Sequence, residues 1–551
     1  MANTFSETQQ KLKAADAERD QRKIQVRKSI ALVILATGFA AQLARILTIE
    51  SSTGEVPFLS ANDRSRWCTI ATLAVEGSYE IDKILEVRDA KSNRRVWYTI
   101  DLVRHRGSDG KQHYYSSKPP LLPTIYAGVY WLIRQTTGAS IMTEPFFPAR
   151  LLIIFVNLLP LTFFWWLIGH WMSRYKLPIF AHTALMAFTV WGCQLTTFAN
   201  TLNNHLPAAI AVAVSAFCIV NLAEGRSKSS GWFLLCGLAT SFAAANELPA
   251  LSWVAAAGAI LLIINPLKCL LCYVPALLPV AAAFFGTNYL AHGEFAPAYA
   301  HRDLGELIAS AELPEDLELT SAAAAQLKPI LDSNSIEVSE NSTIRSARRE
   351  GVFELWDPET EIRRGLKQTG NTLEVYQWGD WYDYEGSYWT SDRKQGVDKG
   401  EPNRAKYVAH CLVGHHGIFS LTPWWLLALL GFGVIGYEAG TLNFFRHHTL
   451  LVALAILATS VVSIGFYLAR PLEDCNYGGV NAAFRWGLWL SPLWIWVSLH
   501  TVARVKNLTT QRVVIALLAL SVFSTVFPWD NPWTSPWTMQ LLEWSGLESW
   551  I

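Results

Sequence analysis

The chain has 551 residues, of which 51% are hydrophobic and only 16% charged, and its formal net charge is zero. Soluble proteins average about a quarter charged, so an ordinary soluble enzyme is excluded and a polytopic membrane protein is expected. The even charge balance points to no nucleic acid or acidic partner.

Residues 1–28 are polar and charge-rich, ending Arg19, Arg22, Lys23, Arg27 and Lys28, and read as a cytoplasmic N-terminal helix. The apolar run 29–49 is long enough to span a bilayer and lacks a small-residue cleavage site. It therefore reads as an anchor, with its basic flank inside and the loop 50–149 outside. After Lys118 a helical pattern covers Leu121 to Ile133. At about 14 residues it is short for a span and typical of a re-entrant or interfacial helix. Further spans are predicted near 150–172, 177–198, 206–223, 231–247, 248–265, 269–290, 417–438, 447–469, 482–502 and 511–528. With 29–49 that makes about eleven. The basic clusters Arg174/Lys176, Arg226/Lys228, Lys268, Arg446 and Arg504/Lys506 then share the side of the N-terminus, and the carboxyl end is external.

Residues 291–410 form one large polar insertion, external on this topology. Helical patterns are expected near 304–312 and 319–332. An aromatic, turn-rich half follows, with Tyr376, Trp378, Trp381, Tyr382, Tyr384, Tyr388 and Trp389 among Asp380, Asp383 and Glu385. Residues 411–528 hold the C-terminal spans, and the tail 529–551, with Trp529, Trp533, Trp537, Trp544 and Trp550, reads as an external interfacial segment. The fold class is therefore mainly α. It is a membrane helical bundle (29–290 and 411–528) with juxtamembrane helices in the first external loop and a small external α+β domain at 291–410. The eight cysteines are scattered, mostly in apolar runs, and imply no disulfide framework. Cys269 and Cys272 have no second pair and read as small buried thiols.

The stretch Asn62–Leu121 gathers a carboxylate, guanidinium groups and a lysine at a membrane surface. Asp63 opens a helical pattern running to Glu76, and is either a general base or a helix cap, a role Asn62 could fill equally well. Lys118 precedes two prolines, placed either for a phosphate headgroup or to snorkel beside an interfacial helix. Arg150 opens a span on the external side, where positive charge is unfavoured, and so calls for a specific anionic partner. Asn203, Asn204 and His205 close two helices, as caps often do, whereas Glu247 at a membrane edge is costly unless paired. Asp474, Asn476, Tyr477 and Arg485 flank Gly478 and Gly479, glycines that suggest close backbone approach to a loop or ligand. His410, His415 and His416 lack a carboxylate at ligand spacing, so no metal is assigned to them.

Together these features resemble the C-superfamily glycosyltransferases, in the branch containing protein O-mannosyltransferases and lipid A aminoarabinose transferases. Asp63-Arg64-Ser65-Arg66-Trp67 stands where that branch commonly shows Asp-Glu-Ser-Arg-Tyr, and Ser117-Lys118-Pro119-Pro120-Leu121 where it shows Glu-Lys-Pro-Pro-Leu. Arg150, in Pro148-Ala149-Arg150-Leu151-Leu152, is similar as well. The motifs cover the first third of the chain and the remainder resembles the branch by topology alone. The resemblance implies inverting transfer of a sugar from a polyprenyl-phosphate donor to a glycan, lipid or protein acceptor on the external face, in a bacterial inner membrane. Asp63 would be the catalytic base, and Lys118, Arg150 and Arg66 would bind the donor phosphate. Asn204, His205, Glu247, Tyr384, Asn476 and Arg485 are candidate substrate-binding residues. No cofactor is called for, and a divalent metal stays open. Two departures matter: Arg64 and Ser117 stand in place of acids. A transporter or flippase of a lipid-linked sugar would use the same basic residues but should show related halves or paired interrupted helices, which this chain does not display. A non-catalytic membrane scaffold of the same fold is the third reading.

Overall fold

A computed structural model describes residues 2–314, 317, 319, 320, 323–390, 393–440 and 448–547. The basic residue Arg446 and the tail residues beyond 547, Trp550 among them, lie outside the described residues. The chain divides into two compact units, each built from separated stretches. The first holds 1–49, 153–280 and 400–551; the second joins 50–152 to 281–399.

The described residues contain seven helices long and apolar enough to cross a membrane. They are Glu18–Thr48, Phe146–Met172, Ile179–Asn200, His205–Ala223, Pro266–His292, His448–Leu468 and Leu508–Val526. The other four expected spans are helical but shorter. The run 231–247 forms the 17-residue helix Ser230–Asn246. Glu247 then turns extended, at φ −134° and ψ 103°, and Pro249 opens the next short helix, Leu248–Ile264. Near 417–438 the chain makes one turn, Ile418–Leu421, before Trp425–Ala439, with Pro423 between them. Near 482–502 a 3₁₀ turn, Arg485–Leu490, precedes the helix Ser491–Val502. Among the described residues, seven of the eleven expected spans thus form helices of full crossing length, and in the other four Pro and polar residues interrupt the apolar runs.

Buried polar groups tie the first unit together. Arg45 is 3% exposed and donates to the carbonyls of Trp529 (2.6 Å), Thr196 and Thr197 (both 3.1 Å). Asn157 sits in a π-helical turn, Ile154–Leu158, and donates to the carbonyls of Ala199 and Thr201. Such a bulge is where a helix re-aims a side chain.

In the second unit a helix, Ala61–Glu76, packs beside Leu121–Thr137. The latter, expected over 121–133, runs 17 residues and is not among the seven. One face buries Leu122, Tyr126, Tyr130 and Ile133. The other exposes Ile125, Trp131 and Leu132, an apolar face suited to an interfacial helix. Between the two helices lies an antiparallel hairpin, β1 (Leu102–Arg106) and β2 (Gln112–Ser116).

The insertion forms a five-stranded antiparallel sheet in the order β3-β7-β6-β5-β4. Its strands are β3 Leu307–Glu312, β4 Thr343–Ser346, β5 Val352–Asp357, β6 Ile362–Thr369 and β7 Thr372–Gln377. The helix Ala324–Ser333 covers one face, burying Leu327 and Leu331 against Leu355, Leu366, Leu373 and Val375. The segment 304–312, expected to be helical, is instead the edge strand β3. Its pairing with β7 supplies hydrogen bonds that six residues with two consecutive exposed apolar side chains could not secure as a lone helix.

Candidate active site

Asp63 sits in the first turn of Ala61–Glu76 and is fully buried. Ser60, not Asn62, is the N-cap: its hydroxyl accepts from Asp63 N at 3.1 Å, and Asp63 Oδ2 accepts from Leu59 N at 3.0 Å. The Ser60 cap and the bond from the N–H just before it hold the carboxylate rigidly at the positive end of a helix. Asn62 serves Arg66 instead, which donates to its carbonyl at 3.0 Å and to its side-chain oxygen. Arg66 is 3% exposed. Arg64, in place of the motif's second acid, donates to Tyr98 O at 2.9 Å. Burial lowers its guanidinium's proton affinity, a cost partly offset by Cys68 and Asp63.

Lys118 follows β2. Its ammonium pairs with Asp101 at 3.0 Å, both side chains being mostly buried. Asp101 was not a sequence candidate, and its position is informative. Hairpin register sets Leu102 opposite Ser116, so Asp101 lies opposite Ser117, and Ser117 N donates to Asp101 O at 3.2 Å. An acid thus sits across the hairpin from the serine that replaces the motif's acid. The sequence carried a signal: Asp109-Gly110 between two strand-prone runs is a hairpin turn. Ser65 links the two motifs. Its hydroxyl donates to Asp101 O at 2.7 Å and shares a 2.6 Å bond with Ser116 Oγ. The Asp63 helix and the Lys118 turn are therefore bolted together within one unit. Arg150 belongs to the same unit, on Phe146–Ile153, with its guanidinium 4.9 Å from the Phe146 ring.

Tyr384 is 5% exposed and packs edge-on against Tyr114 at 5.4 Å, with burial raising its phenol. The aromatic run around it is largely interior. Trp381 is sandwiched by His105 (4.0 Å) and His301 (3.5 Å), and Trp389 Nε1 donates to Ile100 O.

The first unit holds a second constellation. Glu247, 4% exposed, accepts from Asn204 Nδ2 at 2.7 Å, from His205 Nδ1, and from Tyr467 OH at 3.2 Å. Arg485 Nη1 donates to His205 Nε2 at 3.0 Å. Since arginine only donates, His205 must carry its proton on Nδ1 and pass it toward Glu247. Arg485 also donates twice to Gly478 O, at 2.7 and 3.1 Å. Asn476 Oδ1 accepts from Gly478 N at 3.1 Å, which shapes that turn. Gly478 has φ +86°, and an added Cβ would lie 2.8 Å from Arg485 Nε. The approach that the glycines suggested is to Arg485. Of the sequence candidates, Asn204, His205, Glu247 and Arg485 meet here, with Asn476 one turn away. Tyr467 is the member that sequence reasoning missed.

Among the described residues no group of three or more His, Cys, Asp or Glu is arranged to hold a metal ion. His410 stacks on His415, His416 stacks on Tyr477, and His415 meets both His416 and Tyr477 edge-on.

No protein-family model matches the chain, and no curated protein does. Among solved structures, one match is the S. cerevisiae protein O-mannosyltransferase Pmt1-Pmt2 complex bound to the sugar donor. It has a TM-score of 0.43 and 11% identity, over 94% of this chain and 92% of the other.

Proposed function

We propose that this chain is a membrane glycosyltransferase that moves a sugar from a polyprenyl-phosphate donor to an acceptor on the external face by inverting displacement. The observation that carries the reading is the Ser65 bridge, which fastens the Asp63 helix to the Asp101–Lys118 pair. A base and a phosphate-binding cation are thus set on one rigid scaffold, as such chemistry requires. The acceptor hydroxyl gives its proton to the Asp63 carboxylate as its oxygen bonds to the anomeric carbon. The bond from that carbon to the phosphate oxygen breaks on the opposite face, and its electron pair leaves with the polyprenyl phosphate. Lys118, Arg150 and Arg66 stabilise the charge that develops there. Asp101 takes the orienting role of the acid absent at position 117 and holds the ammonium in place. On this reading the amino end is cytoplasmic, the carboxyl end external, and the membrane a bacterial inner membrane.

The test is turnover in proteoliposomes carrying polyprenyl-phosphate sugars. Asp63→Asn is expected to lower turnover by about 10²–10⁴-fold, the usual worth of a general base, and Lys118→Ala to lower it comparably. Turnover surviving both substitutions removes the proposed site. Carrier movement without a glycosidic product would favour a flippase.

A further inference from the structure

The second unit holds a cavity of about 390 Å³ whose wall carries five charged side chains, Arg104, Arg106, Arg363, Glu294 and Glu361. One of them is already neutralised: Arg363 pairs with Glu354 and donates to the carbonyls of Arg104 and Asp383. The other four are not. Arg104 lies over the rings of Tyr114 (5.6 Å) and Trp356 (5.5 Å), and Arg106 donates to the carbonyls of Gly110 and Thr360. Among the described residues neither arginine is paired with a carboxylate. Glu361 accepts from the Gln112 main-chain N–H at 2.7 Å, a neutral donor. Glu294 lies 3.4 Å from His301 Nε2, but burial holds that imidazole below its ordinary value, so near pH 7 it brings no charge. The two histidines of the wall, His105 and His292, hydrogen-bond each other at 3.0 Å.

Two cations and two carboxylates thus share one wall without pairing with one another. An anion alone would be opposed by the glutamates, and a cation alone by the arginines. A zwitterion answers both signs. Guanidinium forks suit a phosphate, and carboxylates accept from the three N–H groups of a primary ammonium. A quaternary ammonium would instead call for an open aromatic face. Here those faces are taken: Trp381 is stacked by His105 and His301, and Arg363 lies 4.8 Å from the Trp378 ring centre.

The position points to the source of such a group. His292 is the last residue of Pro266–His292, one of the seven helices of crossing length. Tyr289, one turn earlier, is 52% exposed and stacks at 5.1 Å on Phe295, which is 61% exposed. An exposed apolar pair therefore flanks the lining residues His292 and Glu294, where a span leaves the bilayer. That setting suits a lipid headgroup with its acyl chains attached. We propose that the cavity binds an aminophospholipid by its phosphoethanolamine headgroup, with the phosphate on Arg104 and Arg106 and the ammonium on Glu294 and Glu361. Such binding needs the membrane span but no step of the transfer reaction.

The test titrates the full chain in detergent with the dihexanoyl forms of phosphatidylethanolamine, phosphatidylcholine and phosphatidylglycerol, and with soluble O-phosphoethanolamine. Tryptophan fluorescence follows binding, since Trp378 and Trp381 line the cavity. Phosphatidylethanolamine is expected to saturate, and the other three to bind weaker by about tenfold or more. Arg106→Gln and Glu294→Gln change exposed side chains and leave the fold intact, and each is expected to weaken phosphatidylethanolamine by about tenfold or more. Arg94→Gln removes the same charge from an exposed residue outside the wall and is expected to bind as the wild type does. Equal affinity for phosphatidylglycerol, or a Glu294→Gln variant that binds like the wild type, overturns the zwitterion assignment. Equal affinity for O-phosphoethanolamine overturns the lipid as its source, and absence of saturable binding overturns the site.

Discussion

Replacing Glu247 tests the buried constellation of the first unit most directly. Its carboxylate accepts from Asn204, His205 and Tyr467 while Arg485 backs the histidine. Side-chain hydrogen bonds within membranes average about 0.6 kcal/mol each, so losing all of them sets a floor near 2 kcal/mol. Removing the carboxylate also leaves the buried donors of Asn204, His205 and Tyr467 without an acceptor, at about 1–3 kcal/mol for each group left unsatisfied. Glu247→Ala is therefore expected to cost about 2–5 kcal/mol, or about 3–7 °C in melting temperature for a unit of this size. Glu247→Gln keeps the shape and one acceptor oxygen and should cost about 1–2 kcal/mol. Tyr467→Phe removes only the contact at 3.2 Å, and about 0.6 kcal/mol is expected. The assay is tryptophan-fluorescence melting in detergent. A shift below about 2 °C for Glu247→Ala, or one no larger than that of Tyr467→Phe, would refute the claim that the carboxylate organises the cluster.

Other consequences are equally direct. Asp101 and Lys118 are mostly but not fully buried, so a double-mutant cycle with Asp101→Ala and Lys118→Met should give a coupling of about 1–2 kcal/mol, between the exposed and buried limits. Additive effects would mean that the pair contributes nothing. Gly478→Ala combines left-handed backbone with a close approach to Arg485 and should cost about 1–3 kcal/mol, read as a lowered melting temperature. His105 titrates near 4 in the fold against 6.5 ordinarily, because burial disfavours its charged form. Below pH 6.5 the unfolded chain binds the extra proton first, so stability falls as pH drops from 6.5 to about 4, by up to about 3 kcal/mol, and levels off below. Amide exchange across the strands of the 102–116 hairpin should accelerate over that window, and His105→Phe should flatten the response.

The helices were legible in the sequence because a bilayer imposes its thickness on apolar runs; where they stop was less so. Pro423 cuts a run that hydropathy alone joins, whereas the break at Glu247 falls where the apolar runs 231–247 and 248–265 were already separated. The strand Leu307–Glu312 was misread as helix because Leu307 and Ile308 are both exposed, leaving no alternation to betray a strand. Asp63 and Lys118 were visible through their local motifs, but Asp101 required the hairpin's register, a property of pairing rather than of neighbours in the chain. Asn204, His205, Glu247 and Arg485 each looked unusual alone. That they serve one another follows from tertiary folding over some 280 residues of separation between His205 and Arg485.

The second unit is assembled from stretches that the ribosome delivers far apart. Arg104 N donates to Trp381 O, Gln112 N to the Glu361 carboxylate, and Trp389 Nε1 to Ile100 O, so main-chain groups of the early loop are stitched to the late insertion. At about 5–20 residues per second of synthesis, the segment bearing Asp63 and Lys118 waits roughly ten seconds or longer, already exported on the proposed topology, before its other half emerges. During that interval the edge of β1 is unpaired. Biogenesis of this protein should therefore depend on whatever shelters an open strand edge at the membrane, and truncation ahead of residue 281 should yield a product that inserts yet is degraded.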